Sequence, residues 1–441
     1  MNNLKSTLAQ QSIIYVTRDI ERALGLPLDT KGYFIISNFT PFAKGVTKNK
    51  KNVLLIKEKE LLDTWELLQH PKTISFLSRF SPLDKGEIKR GLKNSHSTSP
   101  RLSLSKERNY KPVILVFKNT LQIEKTCKEN GWQLLNPPAE LSNKVEEKIS
   151  QLEWLGPLKK YLPKYSILKC KDVKFINKSF ILQFNRSHTG SGTMLIESTK
   201  QLEEIQQKFP EREVRIAEYI VGPLFTNNNV VTNAGILHGN INYQITGLKP
   251  FTDNPFSTIG NDWALPHKIL TKKQILQYKK IATDAGQRLK KSGWRGLFGI
   301  DVVMDEKTGR LYLLEINCRQ PASTTYESQL QSQPKTYKLK PKTYLTTFEA
   351  HLSALQNFNL RGCKLIEIKV GAQVIQRVLS QKSIKSIKSK VTKLKKQKFN
   401  VIQYQTTTPN SDLIRIQSKT GIMSEHNEFN EVGKKIVKIL I

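Results

Sequence analysis

The residues best suited to chemistry stand at the open end of one hairpin, GIDVVMDEKTGRLYLLEINCR (299–319). Lys307, Thr308 and Gly309 supply the turn between two apolar strands. Asp301 opens the first strand, and Glu315 and Asn317 close the second. Strand side chains alternate with period two, so Glu315 and Asn317 share a face, and Asp301 can sit beside them across the turn. Two carboxylates and an amide oxygen make a hard oxygen site suited to Mg²⁺, which takes one or two protein carboxylates plus nucleotide phosphates. Arg319, two residues on and on the same face, is placed to hold a phosphate or acyl-phosphate oxygen.

A second constellation is SHTGSGT (187–193). Glycines at 190 and 192 remove Cβ atoms, so backbone N–H groups can approach phosphate oxygens. The GK[ST] ending and following helix of a Walker A loop are missing.

Several elements must hold these residues. Residues 1–140 alternate short apolar runs, YFIISN, NVLLIK and VILVFK, with helical patterns at 58–69 and 120–130, the rhythm of an open α/β sheet. A polar, Ser-rich and basic insertion interrupts them at 82–111. After Pro137 and Pro138, a helical stretch covers 141–155, and a domain boundary is expected near 140. Residues 141–330 read as strand, Gly-rich turn and strand (SFILQFN, RSHTGSG, TMLIES), a helix at 199–208 and the strand EVRIAEYI. Two further strands, the long helix 272–292 and the 299–319 hairpin follow. Between them, KPFTDNPFSTIGNDWALP (249–266) is rich enough in Pro, Gly, Asn and Asp that regular structure is not expected. The tail, 331–441, is a basic α+β region. TRDIERALGLP (17–27) is distinctive but suggests no role.

The order of these parts resembles the ATP-grasp superfamily, in the branch containing carbamoyl-phosphate synthetase and biotin carboxylase. The match runs in register from Lys148 to Thr324 through VEEKI, FILQFNRSHTGSGTMLI, EYIVG and D…LLEINCRQ. The resemblance implies mixed α/β and α+β architecture: a preceding α/β domain, a two-subdomain nucleotide-binding core and a small C-terminal lid. It implies an ATP-dependent ligase that activates a carboxylate as an acyl phosphate for attack by an amine or other nucleophile. Lys148 would approach the nucleotide phosphates, with Gly190, Ser191, Gly192 and Thr193 capping them. Glu218, Tyr219 and Ile220 would line the adenine. Asp301, Glu315 and Asn317 would coordinate Mg²⁺, with Mn²⁺ an acceptable substitute, and Arg319 would stabilise the transferred phosphoryl group.

Two positions depart from the family pattern. Gln183 stands where a Lys or Arg usually reaches the α- and β-phosphates; it keeps hydrogen bonding without the charge, and Arg186 is the candidate to compensate. Leu224 stands where an acidic residue commonly holds the ribose, which shifts nucleotide affinity elsewhere, for example to Asn227 or Asn228, or reduces activity. The acceptor wall is expected from 257–266 with Arg186, His188 and His267. There Asp262 would take a substrate ammonium or else cap the loop turn, and Arg186 or Arg319 would take a carboxylate.

Composition bounds the alternatives. Lys and Arg number 71 against 37 acidic residues, a net charge of +34 that would attract polyanions. A nucleic-acid role with a degenerate ATP site is the rival reading, and a kinase that phosphorylates without ligation is another. The joint retention of Asp301, Glu315, Asn317 and Arg319 favours the ligase, because a dead site has no physical reason to keep metal ligands. Four widely spaced cysteines and seven histidines show no metal or disulfide pattern. No apolar run is long enough for a membrane helix and no secretory core opens the chain, so a cytoplasmic protein is expected. No biotin-attachment or amidotransferase signature is present, which leaves a free-standing ligase of small molecules or peptides. Dimers are common in the families it resembles, so a homodimer is compatible with this reading.

Overall fold

Parallel pairing organises the first part of the chain in the computed structural model, which describes residues 8, 11–80, 111–185, 192–333 and 343–441, side chains of 381–383 excepted. The insertion expected at 82–111 lies outside the described residues except for Lys111. The chain divides after Asn136 into two compact units.

In the first unit β1 (Ile13–Thr17), β2 (Tyr33–Asn38), β3 (Val53–Ile56), β4 (Val113–Val116) and β5 (Gln133–Leu134) form a sheet in the order β3-β2-β1-β4-β5. Every neighbouring pair is parallel. The central strand, IIYVT, is buried at every position, as a parallel strand covered on both faces requires. The helix expected at 58–69 begins only at Thr64. Asp63 and Glu66 form a reciprocal capping box there, which sets the start. The 17–27 segment leaves β1 in a tight turn, with the Asn38 amide donating to the Arg18 carbonyl at 3.0 Å.

The second unit contains two larger sheets. β6 (Tyr165–Lys169), β7 (Phe180–Phe184), β8 (Thr193–Ile196) and β9 (Glu213–Glu218) are antiparallel, in the order β6-β9-β7-β8. Leu182, Phe184, Ile196 and Val214 project to one face and pack with Leu202 of the helix Thr199–Lys208. Alternation therefore sends Ile181, Gln183, Thr193, Arg215 and Ala217 to the opposite face.

The remaining strands are β10 (Leu224–Val231), β11 (Ile236–Leu237), β12 (Asn242–Thr246), β13 (Thr258–Asp262), β14 (Gly296–Met304), β15 (Leu311–Asn317), the small pair β16 (Tyr344–Leu345) and β17 (Lys364–Leu365), β18 (Ala372–Arg377), β19 (Asn400–Gln403), β20 (Asp412–Ser418), and the pair β21 (Met423–Glu425) and β22 (Glu428–Phe429). The large sheet runs β15-β14-β10-β12-β13-β18-β20-β19, with β11 beside β10. Three strands from the tail thus continue the same sheet. One face carries Phe225, Tyr243, Ile300, Val374 and Ile416 into the main core. The helix Lys272–Lys291 covers it with Tyr278, Ile281, Ala282, Ala285 and Leu289, spaced as one helical stripe and started by a Thr271–Gln274 capping box. The basic stretch 382–398 falls largely on an amphipathic helix that buries Ile387, Val391 and Leu394 in this core and leaves Lys385, Lys388, Lys393, Lys395 and Lys396 exposed.

The loop 249–266 departs from expectation, because Thr258–Asp262 is a strand. β12 and β18 hydrogen-bond it from both sides, so tertiary pairing outweighs weak local β preference. Gly260 helps: a Cβ there would strike the Gln373 carbonyl of the neighbouring strand.

Candidate nucleotide and metal site

The β14–β15 hairpin brings Asp301, Glu315 and Asn317 together. A register shift between Asp301 and Val302 places Leu313 opposite Val302 but Glu315 opposite Asp301. The extra residue, Leu314, is a bulge that aims the second carboxylate at the first. Asn317 Nδ2 donates to Asp301 Oδ2 at 3.2 Å, leaving its Oδ1 as an acceptor. The Thr226 hydroxyl, from β10 on the other side of β14, also bonds the Asp301 carboxylate. Desolvation, and then the charge of Glu315, push Asp301 up to about 6. Thr226, Asn317 and Lys148 work against that rise by favouring the ionised form.

Lys148 lies where the helical stretch breaks, between the helices Ala139–Glu146 and Ser150–Leu155. Asn185, just past β7, fixes the break. Its carbonyl accepts from Lys148 N at 3.1 Å and its side chain from Ile149 N at 2.8 Å. The lysine ammonium then reaches Glu315 Oε2 at 2.6 Å. Arg319 pairs with Glu146 on the first of these helices. Burial alone would lower its pKa, but the charges of Glu146, Glu315 and Asp301 prevail and raise it.

On the small sheet, Gln183 Nε2 donates to Thr193 Oγ1 at 3.2 Å, and the Gly192 carbonyl accepts from Phe184 N at 3.0 Å. Arg186, His188, Gly190 and Ser191 lie outside the described residues. Glu218, Tyr219 and Ile220 leave the end of β9, all partly buried, and Glu218 pairs with Lys178 at 3.1 Å. The crossing into β10 needs Gly222, whose φ is 147° and where a Cβ would be driven into the Met304 carbonyl.

Other expectations fall away. Asn227 is bonded to Asn229 and Tyr278, and Asn228 to Ser323 and Glu327; all are interior contacts, so neither replaces an acidic residue at position 224. Asp262 is fully buried and accepts from the backbone N–H groups of Ala264, Leu265, Ile422 and Met423, so it is a structural anchor with no room for an ammonium. His267 is placed against the Ile368 carbonyl.

A polar row missed in the sequence runs across the sheet face opposite the core. Glu315, Asp301, Thr226 and Asn242 are successive register partners on β15, β14, β10 and β12. Asn261 then donates to Asn242 at 2.8 Å, Gln373 to Asn261 at 2.9 Å, and Arg415 to Gln373 at 3.3 Å. Each of these residues comes from a different strand, so only the strand order exposes the row.

Among the described residues no group of three or more His, Cys, Asp or Glu side chains is gathered for a metal. The donor set of two carboxylates and an amide, with Asp301 held above its ordinary value by burial and then by the charge of Glu315, instead fits a divalent cation that takes its other ligands from phosphates. No family model matches the chain, and no curated protein matches it in sequence. Solved structures do match in fold. An N5-carboxyaminoimidazole synthase from Aspergillus clavatus, in complex with ADP and 5-aminoimidazole ribonucleotide, aligns over 98% of this chain and 97% of its own, with TM-score 0.60 and 11% identity. The chain has the ATP-grasp fold. An L-amino acid ligase from Bacillus licheniformis aligns over 98% and 96%, with TM-score 0.58 and 12% identity. A phosphoribosylamine–glycine ligase from Thermotoga maritima aligns over 97% and 96%, with TM-score 0.57 and 11% identity. No helix among the described residues is long and apolar enough to cross a membrane.

Proposed function

We propose that this ATP-grasp chain is an ATP-dependent carboxylate–amine ligase. The observation that carries the reading is the bulge-directed pairing of Asp301 with Glu315, flanked by Asn317, Lys148 and Arg319, in the fold of the ligases above. A substrate carboxylate oxygen would attack the γ-phosphorus of ATP, the bond to the β-phosphate oxygen would break, and ADP would leave. An amine nitrogen would then attack the acyl carbon, expelling phosphate and losing a proton. Mg²⁺ held by Asp301, Glu315 and Asn317 would supply charge neutralisation at the phosphates.

The chain's own cations do the rest. Lys148 would exchange Glu315 for a phosphate oxygen when Glu315 turns to the metal. Arg319, kept protonated and oriented by Glu146, would face the transferred phosphoryl group. Glu218, Tyr219 and Ile220 would border the base. The acceptor would lie along Thr226, Asn242, Asn261 and Gln373, which lead from the metal end towards Arg415; amides and a guanidinium suit a polar, carboxylate-bearing small molecule or peptide.

Calorimetry with Mg-ATP tests the reading, on the natural chain and on Glu315→Gln. The expected result is Mg²⁺-dependent binding weakened in the variant, followed by ADP release when amino acids and small carboxylates are screened. Free phosphate with a new amide identifies the ligase; a stable phosphoester would mark a kinase instead. A folded natural chain that binds no Mg-ATP overturns both.

A further inference from the structure

Gln183 leaves a charge missing on β7, and the residue opposite it in register on β9 is Arg215. Arg215 is only 2% exposed, yet its Nε and Nη1 have no hydrogen-bond partner among the described residues. Buried polar groups are nearly always satisfied, and an unsatisfied guanidinium is expensive. Its neighbours do not meet the need. The Tyr165 ring lies with its centroid 5.3 Å from Cζ, which offers a π face and no acceptor in line with those N–H groups. Glu315 is near enough for its charge to favour the protonated guanidinium, but desolvation outweighs both and pulls Arg215 down to about 10.

The placement is also specific. Leu182, Phe184 and Val214 turn to the helix-covered side, so Arg215 is on the other side, with Gln183 beside it and Thr193 bonded to Gln183. Gly192 immediately precedes Thr193 of that face, and Glu315 of the metal hairpin is close enough for its charge to act on Arg215. A planar donor fork lacking acceptors, at a position with a neighbouring amide donor, is complementary to phosphate oxygens.

We infer that Arg215 is a polyphosphate-binding residue of the nucleotide site, supplying from β9 the charge that Gln183 does not supply from β7. Gln183 acts beside it as a neutral hydrogen-bonding partner. The inference rests on the nucleotide-site reading above and goes beyond it by assigning the missing cation to a different strand.

The experiment compares Mg-ATP, Mg-ADP and adenosine affinities for the natural chain, Arg215→Lys, Arg215→Met and the double variant Arg215→Met/Gln183→Lys, with melting curves to confirm folding. Arg215→Met is expected to weaken both phosphorylated ligands by about tenfold to a hundredfold, the scale of a lost charge-assisted hydrogen bond, and adenosine by less than about threefold. Arg215→Lys should fall between, because it keeps the charge and loses the fork. Returning a cation through Gln183→Lys should recover most of the loss. Unchanged Mg-ATP affinity in Arg215→Met overturns the inference, as does an equal loss for ATP and adenosine that Gln183→Lys leaves uncorrected, the signature of a packing role. If Arg215→Met does not fold, Arg215→Lys decides: a loss confined to the phosphorylated ligands supports the inference, and none overturns it. Failure of the natural chain to bind Mg-ATP removes the nucleotide reading itself, an outcome distinct from normal binding that ignores Arg215.

Discussion

The two faces that carry the candidate nucleotide and metal residues are prepared in opposite ways. On the β14–β15 hairpin each functional side chain is already engaged: Asp301 with Thr226 and Asn317, Glu315 with Lys148, and Arg319 with Glu146. On the small sheet Arg215 is buried with two unsatisfied nitrogens, and the Gln183 amide donates to the Thr193 hydroxyl. The first face must exchange internal partners for a ligand, while the second gains partners it lacks. Ligand binding should therefore depend on electrostatic rearrangement at the hairpin and on simple complementarity at β7–β9.

The sharpest break of that contrast comes from the hairpin. Asp301→Asn and Glu315→Gln should each lower turnover about a hundredfold to a thousandfold, the scale for losing a group that stabilises developing charge. Stability should move the other way for Asp301→Asn. The Asp301 carboxyl is raised from 3.8 to about 6, so the folded state is penalised progressively as pH rises through that interval. The variant lacks the penalty and should melt at the same temperature as the natural chain near pH 3.5 and higher at pH 7, measured without nucleotide or metal. A stability loss at pH 7 would show that the paired carboxylates hold the fold instead of waiting for a cation.

The contrast also explains what could be read in advance. Asp301, Glu315, Asn317 and Arg319 lie within a single hairpin, so period-two alternation was enough to gather them. The α/β first unit, the long helix and most strands were legible for the same local reason. The Leu314 bulge was not, because it exists only against β14. Neither was β13, a segment with turn-like composition that its neighbours make into a strand, nor the row from Thr226 to Arg415, whose members come from separate strands. Asp262 stood between two roles, and its bonds from Ala264 N and Leu265 N are the turn cap; its other two donors, at residues 422 and 423, lie far along the chain and could not be read locally. A milder test addresses that row: Gln373→Met should raise the acceptor KM about tenfold and leave kcat nearly unchanged, as expected when a contact shared by ground and transition states is lost. An effect on kcat with constant KM would place the acceptor elsewhere.

The smallest expected effect concerns a carboxylate that is engaged like those of the hairpin but is not among the candidate site residues. Glu327, on the helix Thr324–Gln331, is fully buried. Asn240 donates to it from its backbone at 3.3 Å and its side chain at 2.9 Å, Thr347 donates at 3.1 Å, and Asn228 completes the set. Desolvation nevertheless raises its pKa from 4.5 to about 7, outweighing those donors. Below pH 4.5 the group is protonated folded and unfolded, and contributes no pH dependence. Between 4.5 and 7 the unfolded chain releases the proton first, so stability falls as pH rises; above 7 the loss is complete. Glu327→Gln should flatten this part of the melting profile. The new amide can keep its carbonyl towards Asn240 and Thr347 and turn its NH₂ to Asn228, provided Asn228 rotates its own amide, which the Ser323 hydroxyl tolerates because it both donates and accepts. The variant should therefore match the natural chain near pH 4.5 and exceed it by a few degrees at pH 8, with Mg-ATP affinity unchanged. A variant that is less stable at both pH values would mean that the ionised carboxylate, with its four donors, is the form the fold selects, and that burial at this position is less costly than its distance from water implies.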